Sequence, residues 1–455
     1  MIKKIVQVSM ASLFLMVISA SFITPVLGAE NIIKIGVHGP MKHTLGRQGA
    51  MGAKMAAAEI NAAGGVKVGK DVYKIEVFPA DDDCYASIPN AVNAVQRLIS
   101  SHGVNCVIGG YTSESTLAIQ EICANYRTIQ FVTGAATNKL AARIHENYDK
   151  YKYMFKLLGP RPETQVPFFI SATLVPGVRA IRAQLGIEKP KVAIIRDKAV
   201  YSEPFAAIVK EMAAGIGYEV IGEYTHAFAA KDTSGEAAGL KASGCHIIWR
   251  VEYGPSGVPS SVAMGELRIP ALITGGCMEA ERSEHWKDTG GMCNYMLTTC
   301  YLPPAKVTKK TIPFLDGFFA KNSEHAGYGG YASYDSVYVY KESVERAGTL
   351  NTNSLVLSLE KTDYEGVMGR IVFSPKDFLY PHEMEWGPQY VPFGAVQWEE
   401  GKQKIVWPDG KEADEALLKL NDRPGWVVRR GWDKLKYEGT EMLKLPPWML
   451  KHYGK

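Results

Sequence analysis

"FVTGAATNKL", residues 131–140, starts as an apolar run and ends in small side chains, a hydroxyl and an amide before Lys139 and Leu140 open a helical pattern. A short, wholly apolar run reads as a strand buried on both faces. Its tip, Gly134-Ala135-Ala136-Thr137, leaves backbone N–H groups uncovered, and Thr137 adds a donor and an acceptor. Two readings fit these residues. One is a strand-to-helix turn with a helix cap; the other is a cradle for an anionic head group at a helix N-terminus.

The same plan recurs on both sides of this stretch. "IIKIGVHGP" (32–40), "YKIEVFPADDD" (73–83) and "VNCVIGGYTSES" (104–115) are further apolar strands, each followed by a helical pattern. The first of these helices carries Met51 and Met55 one turn apart and stops at Gly64-Gly65. After "FKLLGPRPETQ" (155–165) the rhythm restarts with "KVAIIRD", "YEVIGEY", "CHIIWRVEYG" and "ALITGG". Apolar strands alternating with helices predict α/β architecture: two Rossmann-like units in tandem, each with a parallel sheet covered on both faces. Beyond residue 362, "DYEGVMGRIVFSPKDF" and "GAVQWEEGKQKIVWP" read as strand and hairpin pieces, and the last 45 residues as an irregular surface appendage. In open parallel sheets, ligands bind beyond the carboxyl ends of the strands. Three loops there are small and hydroxylated: 39–46, 109–116 and 133–138, the last two with Ser113 and Thr137 just before a helix.

Residues 1–28 differ in kind. Lys3 and Lys4 precede an apolar run, and small residues end at Gly28, the pattern of an export signal cleaved before Ala29. No cysteine lies there, which excludes a lipid anchor at that point, and no later run reaches the roughly 20 apolar residues of a membrane span. The expectation is an exported protein with no direct membrane insertion. Removing Lys3 and Lys4 lowers a formal charge of only +4, a balance that asks for no nucleic acid.

The seven cysteines all follow residue 28 and show no CxxC or zinc spacing; Cys106 and Cys245 sit in apolar runs and read as buried thiols. Catalytic motifs are missing: there is no GxxxxGK[ST], HExxH or GxSxG, and "HEMEW" (382–386) lacks a second histidine. "GYGGYA" (327–332) follows no strand, which removes it as a dinucleotide loop, and Asp81-Asp82-Asp83 reads as a solvated strand end. No cofactor or metal is implied.

Taken in order, "KIGVHGPM…GRQGAMGAKMAAAEINAAGGV", "FPADDDC", "VIGGYTSEST", "FVTGAATN" and "VAIIRDKAVYSE" resemble the type I periplasmic binding proteins, within them the branched-chain amino acid (Leu/Ile/Val-type) receptors of ABC transporters. The resemblance runs from about residue 31 to 400. It implies a Venus-flytrap fold of two lobes joined by a three-strand hinge: 29–157 with 304–360 as lobe one, 158–303 with 361–400 as lobe two, and 401–455 as an extension on lobe two. It further implies a carboxylate cradle at Ser113, Ala135, Ala136 and Thr137. A closing lobe would contribute Tyr201, Arg250, Glu252 and Tyr253, with His43 a possible donor from lobe one. The family's ammonium-binding acid falls near Cys277, so Glu279 or Glu252 would have to replace it; without such an acid the ligand is a carboxylate lacking an amine, or an amide or urea. Cys84 stands where the family has half of a disulfide, with Thr112 at the partner position. The resemblance therefore suggests Cys84–Cys123, and Cys277–Cys293 as a second pair. The implied location is the periplasm, and the implied partners are a small-molecule ligand and an ABC permease. A ligand sensor of the same fold, and an exported hydrolase using His43 or Asp81–Asp83, are the alternatives.

Overall fold

The computed structural model describes residues 31–455; the export signal expected at 1–28 lies outside the described residues. The first six strands are β1 (Ile32–Gly39), β2 (Val66–Val68), β3 (Asp71–Asp81), β4 (Cys106–Gly109), β5 (Ile129–Thr133) and β6 (Met154–Leu158). They form one sheet in the order β2-β3-β1-β4-β5-β6, parallel except for β2, which pairs antiparallel with β3. The second unit follows with β7 (Lys191–Asp197), β8 (Glu219–His226), β9 (Ile247–Glu252) and β10 (Leu272–Cys277), all parallel, in the order β10-β9-β7-β8. Both sheets cross over from a central strand and reverse, the doubly wound arrangement expected from the alternating pattern.

Three more short strands continue the chain: β11 (Leu297–Cys300), β12 (Asp363–Glu365) and β13 (Arg370–Val372). Then β14 (Gly394–Glu399) and β15 (Lys402–Trp407) form a hairpin through Glu400 and Gly401, both at positive φ, a two-residue turn whose twist matches its strands. β11 pairs with β14, so this small sheet completes the second unit.

Two glycine-rich helices explain "GYGGYA". Helix Thr44–Ala62 crosses helix Tyr328–Ala347 so closely that a Cβ on Gly52 would stand 2.0 Å from the Gly330 carbonyl oxygen. The glycines are there for backbone approach, not for a cofactor phosphate. Helix Pro162–Phe169 continues through a π-helical turn into Val175–Leu185. This is the one helix among the described residues long and apolar enough to cross a membrane, but 78% of its apolar window is buried in the core.

The structure corrects three expectations. Residues 361–386 do not belong to the second unit. Lys156 N donates to His382 O and Met384 N to Lys156 O, so residues 382–384 run as an added parallel strand along the free edge of β6. Asp335, on helix Tyr328–Ala347, also takes the Val367 and Met368 amides of the β12–β13 hairpin. The edge of β6 had unpaired backbone groups to satisfy, and this segment satisfies them. Second, the residues beyond 401, expected as an irregular extension on lobe two, are a strap that also reaches the first crossover helix. Trp432 packs on Phe168 and Trp407, Trp448 Nε1 donates to Ile269 O, and Arg161 donates to Gly425 O. Third, all seven cysteines are buried free thiols, with neither Cys84–Cys123 nor Cys277–Cys293 bonded. Cys84 instead lies beside Asp82 and Thr112, while Cys123 is walled in by the core, and burial pushes both thiols up.

Candidate functional site

The carboxyl ends of β1, β4, β5, β7, β9 and β10 converge where the two units face each other. Contacts cross the gap: Val200 N donates to Glu114 Oε1 (3.4 Å), Arg282 reaches Thr44 Oγ1 (3.5 Å), and the Tyr85 and Phe228 rings meet edge-on at 5.5 Å. Between them lies a cavity of about 260 Å³. Seven aromatic side chains line it: Tyr85, Tyr111, Tyr201, Phe228, Tyr253, Tyr301 and Tyr328. Tyr85 and Tyr328 also border a second cavity of about 260 Å³ on the His43 side, so they stand as a partition within one cleft.

Ser113 lines the first cavity as the opening residue of helix Ser113–Tyr126. The Thr112 cap makes no side-chain bond to the helix end; its hydroxyl pairs with Ser115 Oγ and Cys84 O instead. The first amides of the helix are therefore left without intrahelical partners beside the cavity, where a negative group is favoured. Among the described residues, Lys198, just after β7, is the single cation lining this cavity, and Glu114 the single acid.

The 133–138 tip is placed differently from the expected cradle. Gly134 and Ala136 line the cavity, whereas Ala135 and Thr137 are buried behind it. The Ala135 amide is spent on Gly110 O, and Thr137 Oγ1 accepts from Lys139 N at 3.3 Å. Gly159, at φ 74°, lets the first crossover lie against this tip: a Cβ there would stand 2.2 Å from Gly134 O. For Thr137, the capping reading is the one the geometry carries.

On the second unit, Tyr201 and Tyr253 line the cavity, edge to face at 5.5 Å. Both are held by Asp197, which accepts from Tyr201 OH and from the Tyr253 and Gly254 amides. Burial pushes this carboxyl up to about 7, against the bonds that hold it down. Arg250 and Glu252 do not reach the cavity. They alternate onto one face of β9 and satisfy each other inside the unit: Glu252 bonds His226 Nε2 (2.7 Å) and Arg250 Nε, and Arg250 also donates to Ser261 Oγ and Gly257 O. Buried ions need such partners, and these leave nothing for a ligand. Glu279 and His43 border the second cavity. Glu279 is paired with Arg282 (2.8 Å), and His43 packs its ring on Tyr85 at 4.9 Å, with burial lowering its pKa.

Sequence reasoning missed Tyr85, Tyr111, Lys198, Phe228, Tyr301, Tyr328 and Gln165. Tyr85, Tyr111 and Lys198 each stand within a few residues of a strand's carboxyl end, which was a usable signal. Gln165 and Tyr301 come from the crossovers and Tyr328 from the start of helix Tyr328–Ala347, where no local pattern points at a cleft.

Comparison with known proteins agrees with this architecture. A periplasmic binding protein family model matches residues 33–385. The Leu-, Ile-, Val-, Thr- and Ala-binding protein of Pseudomonas aeruginosa is 26% identical over 362 residues, 77% of this chain and 88% of that one. Among solved structures, the branched-chain amino acid transporter substrate-binding protein of Streptococcus pneumoniae, in complex with isoleucine, superposes with a TM-score of 0.67 at 21% identity, covering 83% of this chain and 99% of that one. A solute-binding protein of Rhodopseudomonas palustris in complex with 3,4-dihydroxybenzoic acid gives 0.65 at 17% identity, covering 82% and 95%. At these identities the two structures speak for the fold. With its two doubly wound units, its cleft and a match across most of its length, the chain belongs to the periplasmic binding protein family.

Proposed function

We propose that this chain is an exported receptor that captures a small aromatic carboxylate in its interlobe cleft and delivers it to an ABC permease, after cleavage of a signal before Ala29. One observation carries the ligand class. The first cavity joins an aromatic wall to anion-seeking groups, Ser113 with its helix N-terminus and Lys198; among the described residues its one acid is Glu114, while Glu281, whose Oε1 has no partner, lines the second cavity beyond Tyr85 and Tyr328. Glu114 takes the Val200 amide, Asp197 is enclosed behind Tyr201, and Glu252 is neutralised within its own unit. A buried ammonium without a partner is costly, whereas a flat ring matches stacked and edge-on aromatic walls. Relatives span both chemistries, amino acids in some and a dihydroxybenzoic acid in another. Calorimetry with benzoates, branched-chain amino acids, benzamide and urea tests the reading. Benzoates are expected to bind best; preference for an amino acid, or for an uncharged amide, refutes it.

A further inference from the structure

Gln165 stands on the first crossover helix, is 1% exposed and lines the aromatic cavity. Its Nε2 donates to both Tyr253 OH (3.2 Å) and Tyr301 OH, which uses both amide hydrogens. Its Oε1 is buried with no partner. An unsatisfied buried acceptor costs free energy in proportion to its lost hydration, so its presence in a ligand cavity marks a place for a ligand donor. The two phenols beside it matter as well. Both phenol oxygens accept from Gln165 Nε2, and among the described residues neither O–H has an acceptor. The cluster therefore presents an acceptor and a donor side by side.

We propose that Gln165, with Tyr253 and Tyr301, is the specificity element of the cleft and reads a ring hydroxyl, so that the ligand is a hydroxylated aromatic acid. This rests on the aromatic-carboxylate reading above. A hydroxyl gives a hydrogen to Gln165 Oε1 and accepts one from the phenol. An ammonium only donates, so it leaves the phenol O–H without an acceptor. A bare ring edge leaves both groups unpaired. Ser113 and Lys198 stand just beyond β4 and β7, while Gln165 and Tyr301 stand on the segments that join the two units, so the carboxylate and hydroxyl are read by different elements.

The test is calorimetry on the exported protein with benzoate, 3- and 4-hydroxybenzoate, 4-fluorobenzoate and isoleucine. Fluorine is close to hydroxyl in size but cannot donate. At least one hydroxybenzoate is expected to bind about tenfold or more tighter than benzoate and 4-fluorobenzoate, about 1.4 kcal/mol. Gln165→Leu should bring the three within about threefold of one another. Thermal unfolding of Gln165→Leu, expected to remain a single cooperative transition, guards against a misfolded variant. Benzoate binding without hydroxyl preference in the wild type, or a preference that survives Gln165→Leu, overturns this inference alone. If no benzoate binds, or isoleucine binds best, the aromatic-carboxylate reading fails and the inference fails with it.

Discussion

Ser113 and Thr137 are both hydroxyls at the start of a helix beyond a parallel strand, and the structure gives them different work. Ser113 faces the cavity at an uncapped helix end, while Thr137 turns its oxygen to Lys139 N. Ser113→Ala should therefore weaken carboxylate ligands by about 1.5–3 kcal/mol, the worth of a hydrogen bond to a charged group. Thr137→Ala should leave affinity intact and lower stability by roughly 1 kcal/mol, as loss of a capping bond does. Calorimetry and urea unfolding on the two variants separate the roles; an affinity loss for Thr137→Ala with Ser113→Ala silent would reverse the assignment.

At the scale of elements, the contact of helix Thr44–Ala62 with helix Tyr328–Ala347 is set by backbone against backbone. Gly52→Ala places a methyl 2.0 Å from the Gly330 carbonyl, which cannot rotate away as a side chain can. The expected loss is about 1–3 kcal/mol by urea unfolding, as for overpacking in a dense core. The same second helix holds Asp335, whose carboxyl burial lifts to about 7 against the Val367 and Met368 amides that hold it down. Its folded value lies above its unfolded one, near 3.9. The folded state thus binds more protons between these values, and this group's contribution to stability falls as pH rises from about 4 to about 7. Asp335→Asn carries no such titration. The melting temperature of the variant relative to wild type should climb across that interval and level off above it; a flat difference would show that Asp335 titrates normally.

Across the whole molecule, the first crossover is pinned by a buried ion cluster. Glu383 bonds Lys156 Nζ at 2.9 Å and Arg161 Nη1 at 2.5 Å, and Arg161 continues to Gly425 O of the C-terminal strap. The cluster ties the first sheet, the crossover and the strap into one unit. Burial would raise the Glu383 pKa, but Lys156 and Arg161 outweigh it and hold it below the ordinary glutamate value. Its stabilisation is therefore present at neutral pH and lost as pH falls through the depressed folded value. Glu383→Gln leaves two buried cations short of a counter-charge and should cost about 3–5 kcal/mol at pH 7. Urea unfolding at pH 7 and in acid should show that difference shrinking at low pH; an unchanged gap would place the stabilisation elsewhere.

Apolar runs, their length and their alternation with helical periodicity determined the two α/β units on their own, because a strand buried on both faces can be little else. The small-residue loops likewise pointed to Ser113 and Ala136, and the family resemblance added Tyr201 and Tyr253; all four line the cavity. Tertiary structure decided what local pattern could not carry. Arg250 and Glu252 looked like ligand groups, yet strand alternation turned them onto a face where they neutralise each other. Residues 361–386 went to the first unit because the edge of β6 had hydrogen bonds to fill, and the strap beyond 401 folded onto buried tryptophans. Gln165, Tyr301 and Tyr328 became cavity walls only because two crossovers and the start of helix Tyr328–Ala347 meet at the same point. Which side chains meet across such distances depends on chain closure and packing, and neither leaves a period in the sequence.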